Sequence, residues 1–284
     1  MLMDGITVSN KIKDEIRKSV GEYPTKPTLA VCLVGEDPAS AVYVRKKQEA
    51  CEAVGMASVK ATFSNKASTQ EIVNLIKSWN ADKHIHGILI QLPLPPHVNQ
   101  FEVLESVAPE KDVDAFTTTN CGLLMHGRPR FLPCTPAGII ELFKHYDIAL
   151  KGKNVVIVNS TLVVGQPLAL MLLHQHSTIS VNICHEHTKE VEKICQNGDI
   201  LIAAVGKRPN FCVTAEMVKP GAVVVDVGMN REGKRIIGDV NFDEVYQKAS
   251  LITPVPGGVG PCTVAMLLKN TLEAAKLSWP RKVA

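Results

Sequence analysis

Apolar positions fall in short blocks separated by amphipathic stretches. Thr28–Val34 reads TLAVCLV, a continuous apolar run of the kind a strand needs when both its faces are covered. A helical pattern follows from Ala39 to about Val54, then a strand over Ser58–Phe63. Thr69 opens a capping box with Glu71-Ile72 close behind, leading a helix to about Trp79. Gly87–Leu92 (GILIQL) is the next strand, stopped by Pro93-Leu94-Pro95-Pro96. The order β-α-β-α-β calls for a parallel sheet with right-handed crossovers.

The second half repeats the alternation. Asn154–Val158 is a strand, Pro167–His174 a helix and Ile179–Cys184 a loosely alternating strand. Ile200–Val205 and Ala222–Val227 are apolar strands, and residues 262–279 form a last amphipathic helix. Pro133 and Pro136 punctuate the chain before the second series. The fold class expected is α/β: two α/β domains flanking a cleft, the C-terminal one Rossmann-like with a parallel sheet. The domains are expected over 1–146 and 147–261, with the helix from 262 to 284 packing back on the first. A cleft of this kind is the usual place for a ligand.

Composition narrows the class without naming a chemistry. The 284 residues are 45% hydrophobic and 21% charged, which excludes a disordered, collagen-like or coiled-coil chain. Lys+Arg 31 against Asp+Glu 28 leaves +3, too little for a general nucleic-acid surface. No apolar run approaches the roughly 18 residues a membrane span needs. The first residues, MLMDGITVSNKIKDEIRKSV, carry charges too often for a signal peptide, so a cytoplasmic protein is expected. Eight cysteines stand at 32, 51, 121, 134, 184, 195, 212 and 262, with no CxxC pair. Buried reduced thiols are expected, not disulfides or zinc ligands. His84/His86, His174/His176 and His185/His187 are pairs two apart, yet no convincing acidic or Cys cluster completes a metal site. No metal is expected.

Five segments could carry chemistry. Tyr43 and Lys47 lie four apart on one helical face, where a phenol and an ammonium can meet. Gln91 closes an apolar parallel strand, at the edge of the sheet where ligands bind. In Lys111-Asp112-Val113-Asp114 one carboxylate could take paired N–H donors from a planar heterocycle, although a solvated acidic turn reads equally from the residues. Pro256-Gly257-Gly258-Val259-Gly260-Pro261 lets backbone approach a ligand ahead of a helix N-terminus, or simply makes a tight connection. The loop Asn159 to Pro167 has the strand-to-helix position of a dinucleotide loop but is not GxGxxG.

Tyr43…Lys47, GILIQLPLP, KDVDAF, FLPCTPAGI, VVGQPLA, DVGMN, GDV and TPVPGGVGPCTVAML occur in the order found in one family. From about Gly5 to Leu277 the chain resembles the bifunctional methylenetetrahydrofolate dehydrogenase/methenyltetrahydrofolate cyclohydrolase proteins. The resemblance implies a folate-binding catalytic domain followed by a dinucleotide-binding one, and a homodimer. It implies oxidation of 5,10-methylenetetrahydrofolate with NAD(P)+ and hydrolysis of the methenyl product to 10-formyltetrahydrofolate. It makes Lys47 the proton-handling residue, with Tyr43 on or near the folate, Gln91 tuning Lys47 and Asp114 anchoring the pterin. Leu92, Pro256, Gly257, Gly258 and Gly260 would border the folate. Asn159, Ser160, Thr161, Val164, Gly165, Pro167, Glu186, Ala204, Gly206, Met229 and Thr135 would face the dinucleotide.

Three departures from the family pattern bear on this. Asn159-Ser160-Thr161 stands where Gly-Arg-Ser is usual, so an arginine that pairs with the 2′-phosphate of NADP is replaced by Ser160. His185-Glu186-His187-Thr188 stands where His-Ser-Arg/Lys-Thr is usual. A Glu 21 residues after Gly165 suits a ribose 2′-hydroxyl and repels a 2′-phosphate. NADP is thus the cofactor by resemblance and NAD the one these residues favour, unless Lys189 or Arg208 restores phosphate binding. Asp114-Ala115-Phe116-Thr117-Thr118 replaces Asp-Gly-Phe-His-Pro, which alters the turn after the aspartate. The alternatives are a cyclohydrolase with a degenerate nucleotide site and a non-catalytic folate- or nucleotide-binding regulator.

Overall fold

The structure is a computed structural model and describes residues 1–23, 25–175, 178–233 and 235–278. His176 of the second histidine pair, and the chain from Trp279 on, lie outside the described residues. The chain runs α1 (Gly5–Val20), β1 (Thr28–Val34), α2 (Pro38–Ala53), β2 (Ala57–Phe63), α3 (Thr69–Ala81) and β3 (Gly87–Ile90). Then come α4 (Gln100–Glu105), α5 (Thr118–Met125) and α6 (Cys134–His145). The second series is β4 (Asn154–Val158), α7 (Gly165–Gln175), β5 (Ser180–Cys184), α8 (Val191–Gln196), β6 (Ile200–Ala203) and β7 (Val223–Asp226). It ends with β8 (Asn230–Glu232), β9 (Arg235–Ile237), α9 (Phe242–Tyr246), β10 (Leu251–Ile252) and α10 (Val259–Ser278).

Contacts divide the chain into two compact units. One comprises residues 11–134 and the chain from Val264 onward; the other comprises Met1–Asn10 and Thr135–Thr263. The expected change of domain at 146/147 falls just after α6, which clusters with the second sheet. The reason is local: Gly138 of α6 packs on Cys262, and Met3 and Gly5 donate to the carbonyls of Ile252 and Gly257.

In the first unit β2-β1-β3 form a parallel sheet, with Leu29 level with Ser58 on one side and Gly87 on the other. Ala30, Cys32, Ile88 and Ile90 pack on Ile72, Val73 and Ile76 of α3 and on Val103 of α4. The capping box of α3 is formed by Ser68 with Glu71, one residue before the Thr69 read from sequence. Its far end is closed by Lys111, whose Nζ donates to the carbonyls of Trp79, Asn80 and Asp82 at 2.7–2.9 Å, where a cation complements the helix terminus. His86, buried, accepts at Nδ1 from the N–H of Thr28, which ties the approach to β3 to the start of β1.

In the second unit the order β10-β7-β6-β4-β5 is parallel throughout. Val156, Val158, Leu201, Ala203 and Val224 form one side of its core. From β4 the chain moves outward to β5, then crosses back to β6, so the winding reverses between β4 and β6. Ligands of open α/β sheets bind outside the carboxyl ends of the strands at such a reversal.

The strands expected from sequence are present within one to two residues. The last helix starts at Val259, not 262, because it begins inside the glycine-rich segment. Six cysteines are buried, as expected; Cys121 and Cys212 are only half-buried.

Candidate active site and nucleotide edge

Asp37 caps α2 by accepting from the N–H of Ser40, and Pro38 stands in its first turn. This fixes the helix on which Tyr43 and Lys47 lie one turn apart. Lys47 Nζ donates to Gln91 Oε1 at 3.0 Å. The amide of Gln91 is itself held. Its Nε2 donates to the carbonyl of Leu92 at 2.7 Å and its backbone N–H to the carbonyl of Cys32 at 2.9 Å. Its oxygen is thereby left facing the amine. Tyr43 is half-buried, and burial pushes its phenol above the usual value.

Asp114 reaches the same corner by a short strand-like pairing. Ile88 bridges Asp112 in parallel and donates to the carbonyl of Lys111 at 2.7 Å, so the chain from 111 runs beside β3 toward Gln91. Burial raises the carboxyl of Asp114, against the lowering pull of the Lys47 charge and of the Cys134 thiol. Burial and the neighbouring Asp114 in turn raise the Cys134 thiol, so it stays protonated. Tyr43, Lys47, Gln91, Leu92 and Asp114 therefore belong to one compact unit, and Lys47, Gln91 and Asp114 form a polar cluster in it.

The sequence reading passed over the residues that hold this cluster. Asp112 is fully enclosed by the turn after it. It accepts from the N–H of Phe116 (3.1 Å) and Thr117 (2.8 Å) and from Nδ2 of Asn120 (2.9 Å). The two aspartates of KDVD thus divide the work: Asp112 builds the turn and Asp114 faces Lys47. Asn270 of α10 donates to the carbonyls of Val113 and Leu132, each at 2.8 Å, clamping the backbone beside Asp114. Buried polar groups at that spacing were hidden in sequence by the apolar face of the helix.

The dinucleotide residues lie in the other unit, on its carboxyl edge. Asn159, after β4, organises its own loop: Oδ1 accepts from the N–H of Thr161 (2.9 Å) and Gly165 (2.8 Å), and Nδ2 donates to the carbonyl of Ala204 (2.7 Å). This stitches the end of β4 to the end of β6 across the point of reversal. A Cβ at Gly165 would lie 1.8 Å from the carbonyl oxygen of Asn159, so the close turn requires glycine. Ser160 and Thr161 are exposed, whereas Val164, just before α7, and Pro167, in its first turn, are buried. A tight, glycine-dependent strand-to-helix turn with exposed hydroxyls fits a dinucleotide backbone.

Two carboxylates shape the neighbouring loop. Asp226 accepts from the N–H groups of Gly228, Asp239 and Val240 at 2.9–3.0 Å. Burial pushes it up to about 7 despite those donors. Asp239 accepts from Val205 N (2.6 Å), Gly206 N (3.0 Å) and Asn230 Nδ2 (2.9 Å). A Cβ on Gly238 would lie 1.8 Å from Asp226, and one on Gly228 2.2 Å from Asp239. Each carboxylate fills the space above the other's glycine. The DVG and GDV segments, read from sequence only as a likeness, are thus a paired clasp on the loop that carries Ala204 and Gly206.

Glu186 follows β5. Its carboxylate pairs with Lys207 and lies 3.7 Å from His187 Nε2; Lys207 holds it below the ordinary carboxylate range. Among the described residues neither Lys189 nor Arg208 forms an ion pair with it. Met229 is exposed beyond Gly228, and Thr135 Oγ1 lies 3.2 Å from Thr263 Oγ1. In the glycine-rich segment, the carbonyl of Gly257 accepts from Gly5 N at 2.9 Å, so the segment also serves as a connection. Among the described residues no three His, Cys, Asp or Glu side chains converge as a metal site, and no helix is long and apolar enough to cross a membrane.

A lysine–amide–carboxylate cluster on one α/β unit and a Rossmann-like sheet with a dinucleotide turn on the other define a nucleotide-dependent α/β enzyme. Two family profiles match the chain: tetrahydrofolate dehydrogenase/cyclohydrolase, catalytic domain, over residues 3–114, and the NAD(P)-binding domain of the same family over 133–279. The bifunctional protein FolD of Agathobacter rectalis is 48% identical over 97% of this chain and 99% of its own. The solved bifunctional FolD dehydrogenase/cyclohydrolase of Campylobacter jejuni superposes with a TM-score of 0.91 at 44% identity, covering 98% of this chain and 99% of that one. That of Trypanosoma brucei, complexed with NADP cofactor and inhibitor, gives 0.92 at 33% identity, with 98% of each chain covered. The chain belongs to the tetrahydrofolate dehydrogenase/cyclohydrolase family, and is a bifunctional enzyme of one-carbon folate metabolism. Neither alternative, a cyclohydrolase alone or a non-catalytic regulator, gains support from these likenesses.

Proposed function

We propose that Lys47 is the proton-handling residue of both reactions. The observation that carries this is the 3.0 Å hydrogen bond from its Nζ to Gln91 Oε1, with the Gln91 amide locked from behind. An amine can donate to that oxygen whether it is charged or neutral. Gln91 therefore keeps Nζ aimed while a proton comes and goes. In the hydrolysis, water adds to the methenyl carbon and Lys47 Nζ takes the first proton that it loses; the hydroxyl proton of the adduct then ends on N5 as the C–N5 bond breaks and the carbonyl of the 10-formyl product forms. A bound nicotinamide dinucleotide supplies the hydride acceptor for the oxidation that makes the methenyl group.

Tyr43, one turn away and half-buried, offers a ring face to the folate. Asp114 accepts the paired N–H donors of the pterin, a charge-assisted contact favoured when its carboxyl is ionised. Leu92, Pro256, Gly257, Gly258 and Gly260 are assigned to the folate, and residues 11–134 with the chain from Val264 to the catalytic domain. The dinucleotide is assigned to residues 135–263, at Asn159, Ser160, Thr161, Val164, Gly165, Pro167, Glu186, Ala204, Gly206, Met229 and Thr135. Ser160 brings no charge and Glu186 brings a carboxylate, so NAD is favoured over NADP. A homodimer and a cytoplasmic location complete the reading, both resting on family membership.

Loss of the methenyl absorbance, followed without any dinucleotide, tests the central assignment. Lys47→Ala should reduce it by at least about 100-fold, the range general acid–base catalysis contributes. Retention of most of the activity would remove Lys47 from the mechanism. The rate of methylenetetrahydrofolate oxidation with NAD and with NADP at equal concentration checks the cofactor reading.

A further inference from the structure

A cation stands at the nucleotide edge one residue before Arg208, on a different loop from Ser160 and Glu186. Lys207 follows β6, and its ammonium is paired with the Glu186 carboxylate after β5. Because β4 lies between β5 and β6, this pair links the segments after the two neighbours of β4, at the edge of the sheet where the Asn159–Gly165 loop begins. That is the reversal point where an open α/β sheet takes its nucleotide.

The backbone of Lys207 is fixed on both sides. Asp239 holds the N–H groups of Val205 and Gly206, and the side chain of Asn230 accepts from Arg208 N at 2.8 Å. Its side chain is 58% exposed, against 15% for Glu186. An anchored residue thus presents a swinging ammonium, while the carboxylate stays in place. A ribose 2′-hydroxyl can donate to Glu186 with the pair intact. A 2′-phosphate, carrying close to two negative charges, meets repulsion from Glu186 unless the ammonium turns toward it.

We propose that Lys207 is the specificity-determining residue at the adenosine 2′ position: it is the cation that keeps NADP bindable beside Glu186. The proposal rests on the dinucleotide reading of this unit but not on which dinucleotide the enzyme prefers. Its test is direct binding to the intact protein, read by NADPH and NADH fluorescence. Lys207→Ala should raise the Kd for NADPH by about 10- to 100-fold, the value of one hydrogen bond to a charged group. The Kd for NADH should change by less than about threefold. Lys207→Arg should keep NADPH binding, and Glu186→Gln should bind NADPH no more weakly than the parent. Equal weakening of both dinucleotides by Lys207→Ala, or no change in NADPH, would overturn the proposal. So would weaker NADPH binding in Glu186→Gln, because the pair would then be structural, or a parent that binds NADH but no NADPH. A parent that prefers NADPH strongly would instead refute the NAD reading and leave Lys207 to be judged by its own variants.

Discussion

Ala115 has φ of 61°, a left-handed conformation that glycine adopts freely and alanine does not. It sits in the turn between Asp112, which builds the turn, and the Thr117 that caps α5. Ala115→Gly removes a left-handed strain of about 1–2 kcal/mol and loses about 0.4–1 kcal/mol by adding freedom to the unfolded chain. The net is expected to be a stabilisation of about 0.5–1 kcal/mol, read as a higher denaturant midpoint with an unchanged slope. A lower midpoint would mean that the turn bears no strain. The same stretch marks where the site was legible. The spacing of Tyr43 and Lys47, and the position of Gln91 at a strand end, made them candidates, and only the likeness to a family gave them roles. The division between Asp112 and Asp114 was not, because two carboxylates two apart look alike until the backbone decides which one faces inward.

Among the elements, the strands were readable because parallel strands covered on both faces are apolar without interruption. Helix α1 carries an equally plain stripe, Val8, Ile12, Ile16 and Val20, all buried, yet in sequence its frequent charges spoke only against a signal peptide and the helix was missed. Short helices such as α4 and α8 have too few turns for periodicity to speak. The link from β1 to β3 through His86 gives a pH dependence. Burial and nearby Lys111 hold the His86 imidazole below its ordinary 6.5. Above that value neither folded nor unfolded chain is protonated there, and the link contributes in full. As pH falls through 6.5 the unfolded chain takes up the proton first, so stability declines until the lower folded value is reached. Asp226, raised to about 7, acts in the opposite sense over the same range, so the His86 part is read as a difference: between pH 7 and pH 5 the urea midpoint of His86→Asn should fall less, or rise more, than that of the parent. Identical slopes in parent and variant would exclude His86 as a source.

At the scale of the molecule, the Lys47–Gln91–Asp114 cluster and the Asn159–Gly165 turn belong to different compact units, each with its own sheet. Lys47→Ala should consequently leave the NADPH Kd within about twofold of the parent while abolishing methenyl hydrolysis. A tenfold weaker Kd would show that the two functions are not separable at this residue. Net charge of +3 was uninformative about any of this, because the charges that matter are local: Lys47 on one unit, and Glu186 with Lys207 on the other.

The reciprocal fit of Asp226 over Gly238 and of Asp239 over Gly228 bears on how this protein can change through time. A side chain added at either glycine displaces a carboxylate, and a lost carboxylate strands three donors, so no one of the four positions can vary alone. Such positions are expected to change together or not at all, since a single step through any of them is costly. Lys207, suspended between the residues that this block holds, faces solvent and is under no such lock. On the role proposed for Lys207, cofactor choice can drift by one substitution while the architecture stands still.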